Sequence, residues 1–208
     1  MLMALGLPYD SEDARAWTGA LTALMSGEAY STSVDLARRV GAFSGYASNS
    51  EPMQRVLRRH QDALGSVPQS APRDLMAAAH SSWDDAVMGC ERHGIRNSQA
   101  TVIAPTGTIS FMMDCDTTGI EPDLGLIKFK KLVGGGDLTI VNQTVGRALH
   151  RLGYDAEQIV DIEAHLLNGG SSTDAPHLQE ADLPVFACSM GHNVIHHEGH
   201  IRMMAAAQ

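Results

Sequence analysis

Wherever glycine or proline does not break the chain between Ala14 and Cys90, its apolar residues return every three or four positions. This period constrains the fold more than any other feature, because it fits a helix and not a strand. Asp10 or Ser11 can cap a first helix carrying Ala14, Trp17, Leu21, Leu24 and Met25 on one face. Gly27 is expected to interrupt it, with a second helix from about Ser33 to Val40 through Val34, Ala37 and Val40. The Gly, Ser, Asn and Pro content of GAFSGYASNSEP predicts a loop. Met53, Val56, Leu57, His60 and Leu64 draw another stripe. GSVPQSAPRD is a break, since each proline biases the residue before it away from helix. Leu75, Met76, Ala79, Trp83, Ala86, Val87 and Cys90 then mark a helix over 74–93, ended by Gly94.

After Gly94 the period changes. SQATVIA is short and β-branched, which predicts a strand, and LIKFKKLVGGGD reads as an extended segment closed by Gly134, Gly135 and Gly136. A helix is expected from Asp137, carrying Ile140, Val141, Val145, Ala148, Leu149 and Leu152 up to Gly153. Asp155 with Gln158 three residues later has capping-box spacing, opening a helix through Ile159, Ile162 and Leu166 that ends at Gly169 and Gly170. LPVFACS is a second predicted strand, and HIRMMAAAQ is helical by propensity. No internal repeat is visible, and no shift in composition marks a domain boundary. The pattern is a helix-rich α/β fold.

The 208 residues suffice for one large domain or two small ones. A formal charge of −9 argues against a general nucleic-acid surface, which needs a basic excess to displace phosphate counterions. It also means that a phosphorylated ligand must be held by local groups against the overall field. Cys90, Cys115 and Cys188 lie far apart with no Cys-x-x-Cys pair, so a reducing, cytoplasmic setting is expected. The start lacks the basic and apolar regions of a signal peptide, and no 18 apolar residues run together to span a membrane. Both ends are apolar where termini are usually polar and loose, so the chain is expected to be a piece of a longer protein.

The segment most suggestive of chemistry is APTGTISFMMDCDTTGIEPD, 104–123. Gly107 would let backbone approach a ligand closely, Thr106, Thr108 and Ser110 offer hydroxyls, and Pro105 restricts entry into the turn. Unpaired amides at the start of a helix suit an anion. An ordinary helix cap has the same composition. Neither a Walker A pattern nor a Gly-x-Gly-x-x-Gly fingerprint is present.

This block, followed by KFKKLVGGG and VNQTVGRALHRLGY, resembles the adenosylcobalamin-dependent (class II) ribonucleotide reductases. GLPYDSEDARAWTGALTALMSGEAY before it, and LPVFACS and HIRMMAAAQ after it, are similar to the same family in the same order, so the resemblance spans nearly the whole chain. It implies that residues 1–208 form the middle-to-late portion of a ten-stranded α/β barrel, truncated at both ends. It further implies that Pro105, Thr106, Gly107, Thr108, Ile109 and Ser110 bind the substrate phosphates, mainly through backbone amides. The turn Pro105–Ser110 itself carries no charge, which suits the interior of such a barrel.

The implied activity is reduction of ribonucleotides to 2′-deoxyribonucleotides for DNA synthesis by a thiyl radical, with adenosylcobalamin bound by the whole enzyme. The implied partners are a ribonucleotide, with a leaning to the diphosphate, a thioredoxin-like reductant and a second copy in a homodimer; neither nucleic acid nor membrane is expected. The family's Asn-x-Cys-x-Glu radical motif is absent from this sequence and is expected upstream, so no catalytic residue is assigned here and the chain alone is expected to be inactive.

Other features invite weaker readings. His192, His196 and His200 stand four apart, which on a helix would align three imidazoles for zinc, but Gly191 and Gly199 interrupt and no metal ligand is assigned. Cys115 and Cys188 read as small buried residues. Glu121 in GIEP suits a turn more than a ligand contact, Lys128, Lys130 and Lys131 read as a solvated face, and the glycine triplet as tight packing. Asn142-Gln143-Thr144 matches a glycosylation sequon without consequence in cytosol. Two other classes compete with the reductase: a free-standing helical module that binds nucleotides without turnover, and a small zinc protein centred on His192–His200.

Overall fold

The structure, a computed structural model, describes residues 1–131 and 137–208. Gly134–Gly136 therefore lie outside the described residues. The chain forms two compact units, 15–102 with 206–208 and 1–14 with 103–205. Composition does not mark this division, because the chain leaves the second unit after residue 14 and re-enters it at 103.

The unit built on 15–102 is helical. α1 (Glu12–Val40) runs unbroken through Gly27, where a stop was expected. A Cβ there would stand 3.0 Å from Ser82 Cβ and 3.0 Å from Trp83 Cδ1, so glycine serves close helix packing. Its helical penalty of about 1 kcal/mol is readily offset by burial. α2 (Tyr46–Ala63) begins inside the expected loop and contains Pro52. Side-chain bonds hold its first turn: Asn49 Nδ2 donates to Gly45 O at 2.8 Å and the Tyr46 hydroxyl to Cys90 O at 3.0 Å. α3 (Arg73–His93) matches the expected helix and stops at Gly94, whose φ of +72° suits glycine. Trp83, Leu57, Ile95, Tyr30, Val34 and Cys90 fill the core, and the Trp83 indole N–H donates to Ala23 O at 2.9 Å. SQATVIA is not a strand. A strand needs a partner for its backbone groups, and none lies alongside it among the described residues.

The other unit is mixed. α4 (Ile109–Met112) is a single turn. β1 (Ile127–Lys131) and β2 (Asp137–Val141) pair antiparallel, with Ile127 opposite Val141 and Lys131 opposite Asp137. The expected extended segment is thus β1, but the helix predicted from Asp137 is replaced by β2. Successive β-branched residues Thr139, Ile140 and Val141 take the strand once a partner is alongside. α5 (Thr144–Leu152) starts seven residues later than expected, and α6 (Ala156–Leu167) carries the predicted capping box of Asp155 and Gln158. LPVFACS forms the end of a 3-10 helix, Glu180–Phe186, and then an isolated bridge from Cys188 to Val194. Pro184 lacks the amide that a strand ladder would use. α7 (His197–Ala207) is the expected last helix. Val145, Leu149, Ile162, Leu166 and Phe186 form the core. The fold is helix-rich, and among the described residues the sheet is a two-stranded ribbon rather than a closed barrel. No helix among them is long and apolar enough to cross a membrane.

Candidate functional site

The turn Pro105–Ser110 bulges from irregular chain into α4. Pro105 to Ile109 are exposed, whereas Ser110 is only 1% exposed. Gly107 has φ +60°, and a Cβ there would meet nothing within 4 Å, so glycine is required by the backbone conformation and not by crowding. Two hydroxyls close the turn internally: Ser110 Oγ donates to Gly107 O at 2.6 Å, and Thr106 Oγ1 to Thr118 O at 2.8 Å. The Thr106 amide also donates to Thr118 O, at 2.5 Å. Among the described residues, the amides of Gly107, Thr108 and Ile109 make no backbone hydrogen bond. These three adjacent amides, with the Thr108 hydroxyl, belong to exposed residues and form a donor set suited to an anion.

The chain returns past the turn through Asp114–Thr118. The Cys115 amide donates to Ser110 O at 2.9 Å. Asp116 carboxylate oxygens accept from the Thr144 hydroxyl at 2.6 Å and the Gln143 amide at 3.2 Å, and its carbonyl accepts from Lys128 Nζ. Lys128 Nζ also lies 2.9 Å from Asp123 Oδ2, an oxygen that accepts from Asn142 Nδ2 at 2.8 Å. Lys128 is therefore part of a partly buried polar network and not a solvated face. The side chains of Lys130 and Lys131 lie outside the description. Asn142, 3% exposed, also accepts the Thr144 amide at 2.8 Å, so the sequon is locked into the fold. Sequence reading missed this network, although three aspartates within ten residues were a signal of it.

Tyr9 donates its hydroxyl to Ile120 O at 3.1 Å. Burial, then Glu121 and Asp10, push its pKa up to about 12, so it remains a donor at neutral pH. Glu121 is exposed in the bend beside it. A cavity of about 480 Å³ opens elsewhere in this unit between Leu126, Leu166, Ser172, Phe186 and Asn193, and no residue of the turn lines it.

The family model of the ribonucleotide reductase barrel domain matches residues 1–208. The chain belongs to that family. A vitamin B12-dependent ribonucleotide reductase of Streptomyces avermitilis is 52% identical over 210 residues, covering 100% of this chain and 22% of the relative. One of Rhodopirellula baltica is 51% identical over 212 residues, covering 100% of this chain and 20% of the relative. A vitamin B12-dependent ribonucleoside-diphosphate reductase of Mycobacterium tuberculosis is 27% identical over 208 residues, covering 100% and 23%. The chain thus spans about a fifth of the length of these relatives.

In this reductase barrel-domain chain the cysteines differ in setting. Cys90 and Cys188 are buried, and burial raises both thiols, Cys188 to about 12 with Asp123 adding to the shift. Neither is poised as a thiolate. Cys115 is exposed, not buried as expected, and its thiol faces Met113 O at 3.7 Å. The histidines do not align as a helical triplet, because α7 begins only at His197. Instead His196, His197 and Glu198 bring ligand atoms within 4.8 Å of one another on the surface. Two of these groups are already engaged: His196 Nδ1 accepts the Glu198 amide at 3.4 Å, and Arg202 pairs with the Glu198 carboxylate. His200 lies against Tyr9, with ring centroids 5.9 Å apart.

Proposed function

We propose that this chain is the middle-to-late portion of the catalytic barrel of a vitamin B12-dependent ribonucleotide reductase, and that Pro105–Ser110 holds the phosphates of its substrate, a ribonucleoside diphosphate. The observation carrying the site assignment is the trio of exposed, unpaired amides at Gly107, Thr108 and Ile109. The chain's net charge of −9 offers no general attraction for phosphate, so directed N–H groups must provide it. α4 is too short to add a large dipole, and the amides themselves are the binding groups.

The apolar flank supports the barrel reading. Ile109, Met112 and Met113 are 49%, 80% and 62% exposed beside the turn, a bare apolar surface that further barrel segments would cover. In the whole enzyme, hydrogen abstraction from the ribose by a cysteine radical would require the sugar to be placed to within about 1 Å, since such an error costs on the order of a hundredfold. Gripping the distal phosphates supplies that alignment without touching the reacting carbon.

Adenosylcobalamin would supply the radical in the whole enzyme. The described residues do not fit it by themselves: pockets for drug-sized ligands measure about 300–1,000 Å³, and the cavity of about 480 Å³ falls in that class, too small to enclose a corrinoid with its nucleotide tail. Its binding belongs to more of the barrel than this chain, and no step is assigned through it here. A thioredoxin-like reductant, a homodimer and a cytoplasmic setting complete the proposal.

Gly107→Val in the whole enzyme tests it. A β-branched residue is strongly disfavoured at φ +60°, so the amides would be redirected. Substrate KM should rise and turnover fall together; unchanged steady-state kinetics would remove the phosphate role.

A further inference from the structure

The geometry points to Asp116 and Lys128 as positioning residues that fix where the amides of the Pro105–Ser110 turn stand. The inference rests on the phosphate reading for its functional consequence, but its structural half can be measured without ligand.

The turn cannot set its own shape. Pro105 to Ile109 are exposed, Gly107 has open space around it, and one turn of helix is not self-sustaining. Apart from its internal Ser110–Gly107 closure and the Met113 amide that closes α4 on Ile109 O, the turn is tied to one strip of chain: the Thr106 amide and hydroxyl donate to Thr118 O, and the Cys115 amide donates to Ser110 O. That strip is irregular too and needs an anchor of its own. Asp116, at its centre, provides one in two directions. Its carboxylate takes the Thr144 hydroxyl and the Gln143 amide at the start of α5. Its carbonyl takes Lys128 from β1, and Lys128 is in turn held by the buried Asp123. Gln143 Nε2 adds a 3.3 Å bond to Asp114. Position therefore passes from regular structure, through Asp116, to the turn.

Charge favours this role over ligand contact. A carboxylate beside a phosphate site would repel its ligand, whereas Asp116 spends both oxygens on protein donors. Lys128 is the nearby cation by type suited to a phosphate, but it is paired with Asp123 at 2.9 Å within the network.

The test is hydrogen exchange on the full-length protein carrying this chain, read on peptides across 103–118, with binding of a nucleoside diphosphate measured alongside. Asp116→Ala removes both carboxylate bonds, Lys128→Met the tie to the Asp116 carbonyl, and the nearly isosteric Thr144→Val only the hydroxyl bond to Asp116. Exchange across 103–118 should rise by on the order of tenfold in the first two and less in Thr144→Val. α5 and α6 should exchange as before, nucleoside-diphosphate affinity should fall, and Asp116→Asn, which keeps an acceptor, should restore much of both. Unchanged exchange across 103–118, or a rise spread equally through α5 and α6, overturns the inference. If exchange rises locally while the parent protein binds no nucleoside diphosphate, the positioning role stands and the phosphate reading fails.

Discussion

The helical unit is held by the burial of large apolar side chains, whereas the turn-bearing part of the other unit is held by polar bonds between groups 12 to 28 residues apart. In the first, Trp83 and Leu57 are 1% and 0% exposed and sit on faces that each helix presents by its own period, and Ile95, just past the end of α3, is 0% exposed against them. In the second, the turn and its return limb contribute little to an apolar core, and their shape follows from Asp116, Lys128, Asp123 and Asn142. Apolar burial tolerates small displacements. A polar network does not, because a buried donor or acceptor without its partner is costly. The difference suits a binding turn, whose donors must be aimed and not merely enclosed.

The sharpest break of this comparison is Trp83→Ala. It removes the largest fully buried side chain and its bond to Ala23, and should cost about 3–5 kcal/mol in urea unfolding of the helical unit. Asn142→Ala should come next. It strips a partner from Asp123 and from the Thr144 amide for about 1–3 kcal/mol, with the loss appearing as faster exchange near the turn and little change in the helical unit.

These two sites also show what the sequence made legible. Spacing alone puts Trp83 on its helix, since Leu75, Ala79, Trp83, Ala86 and Cys90 share a face whatever the rest of the chain does. The Asp155–Gln158 capping box was legible for the same reason, as both of its hydrogen bonds close within three residues. The Asp123–Lys128–Asn142 network was not, because its partners are brought together by β-pairing and loop closure, which leave no periodic trace. Likewise Gly27 read as a helix stop, when its neighbour across the packing is Trp83. Strand assignments failed where a β-branched run lacked a partner, at SQATVIA, and where a helical stripe gained one, at β2. Pro105–Ser110 drew notice by composition and family resemblance; the inward turn of the Thr106 and Ser110 hydroxyls was visible only in the structure.

Two smaller tests sharpen the contrast. Asp155→Ala removes a local cap and should cost about 1 kcal/mol by thermal unfolding, without altering exchange at 103–118. The smallest effect is expected at His60, whose ring stacks on Trp83 with centroids 5.5 Å apart while one edge stays exposed. Partial burial, and then Arg59, lower its pKa below the ordinary 6.5. The folded state therefore binds the proton less readily than the unfolded one. Its contribution is complete above pH 6.5 and is lost as pH falls from there through the lowered folded value. His60→Phe should flatten that part of the stability profile of the helical unit, measured by denaturation between pH 7.5 and 5, about the unperturbed histidine range.

The bond from Tyr9 to Ile120 spans 111 residues, and its consequence is one of timing. At about 5–20 residues per second, a ribosome releases Tyr9 on the order of ten seconds before the strand of chain that completes its contact. The intervening helices share a core of their own and can form in far less time than that. The opening segment must then wait while 15–102, the body of the other compact unit, is made between it and its destination in the chain, so the unit that carries the turn closes after that body has formed.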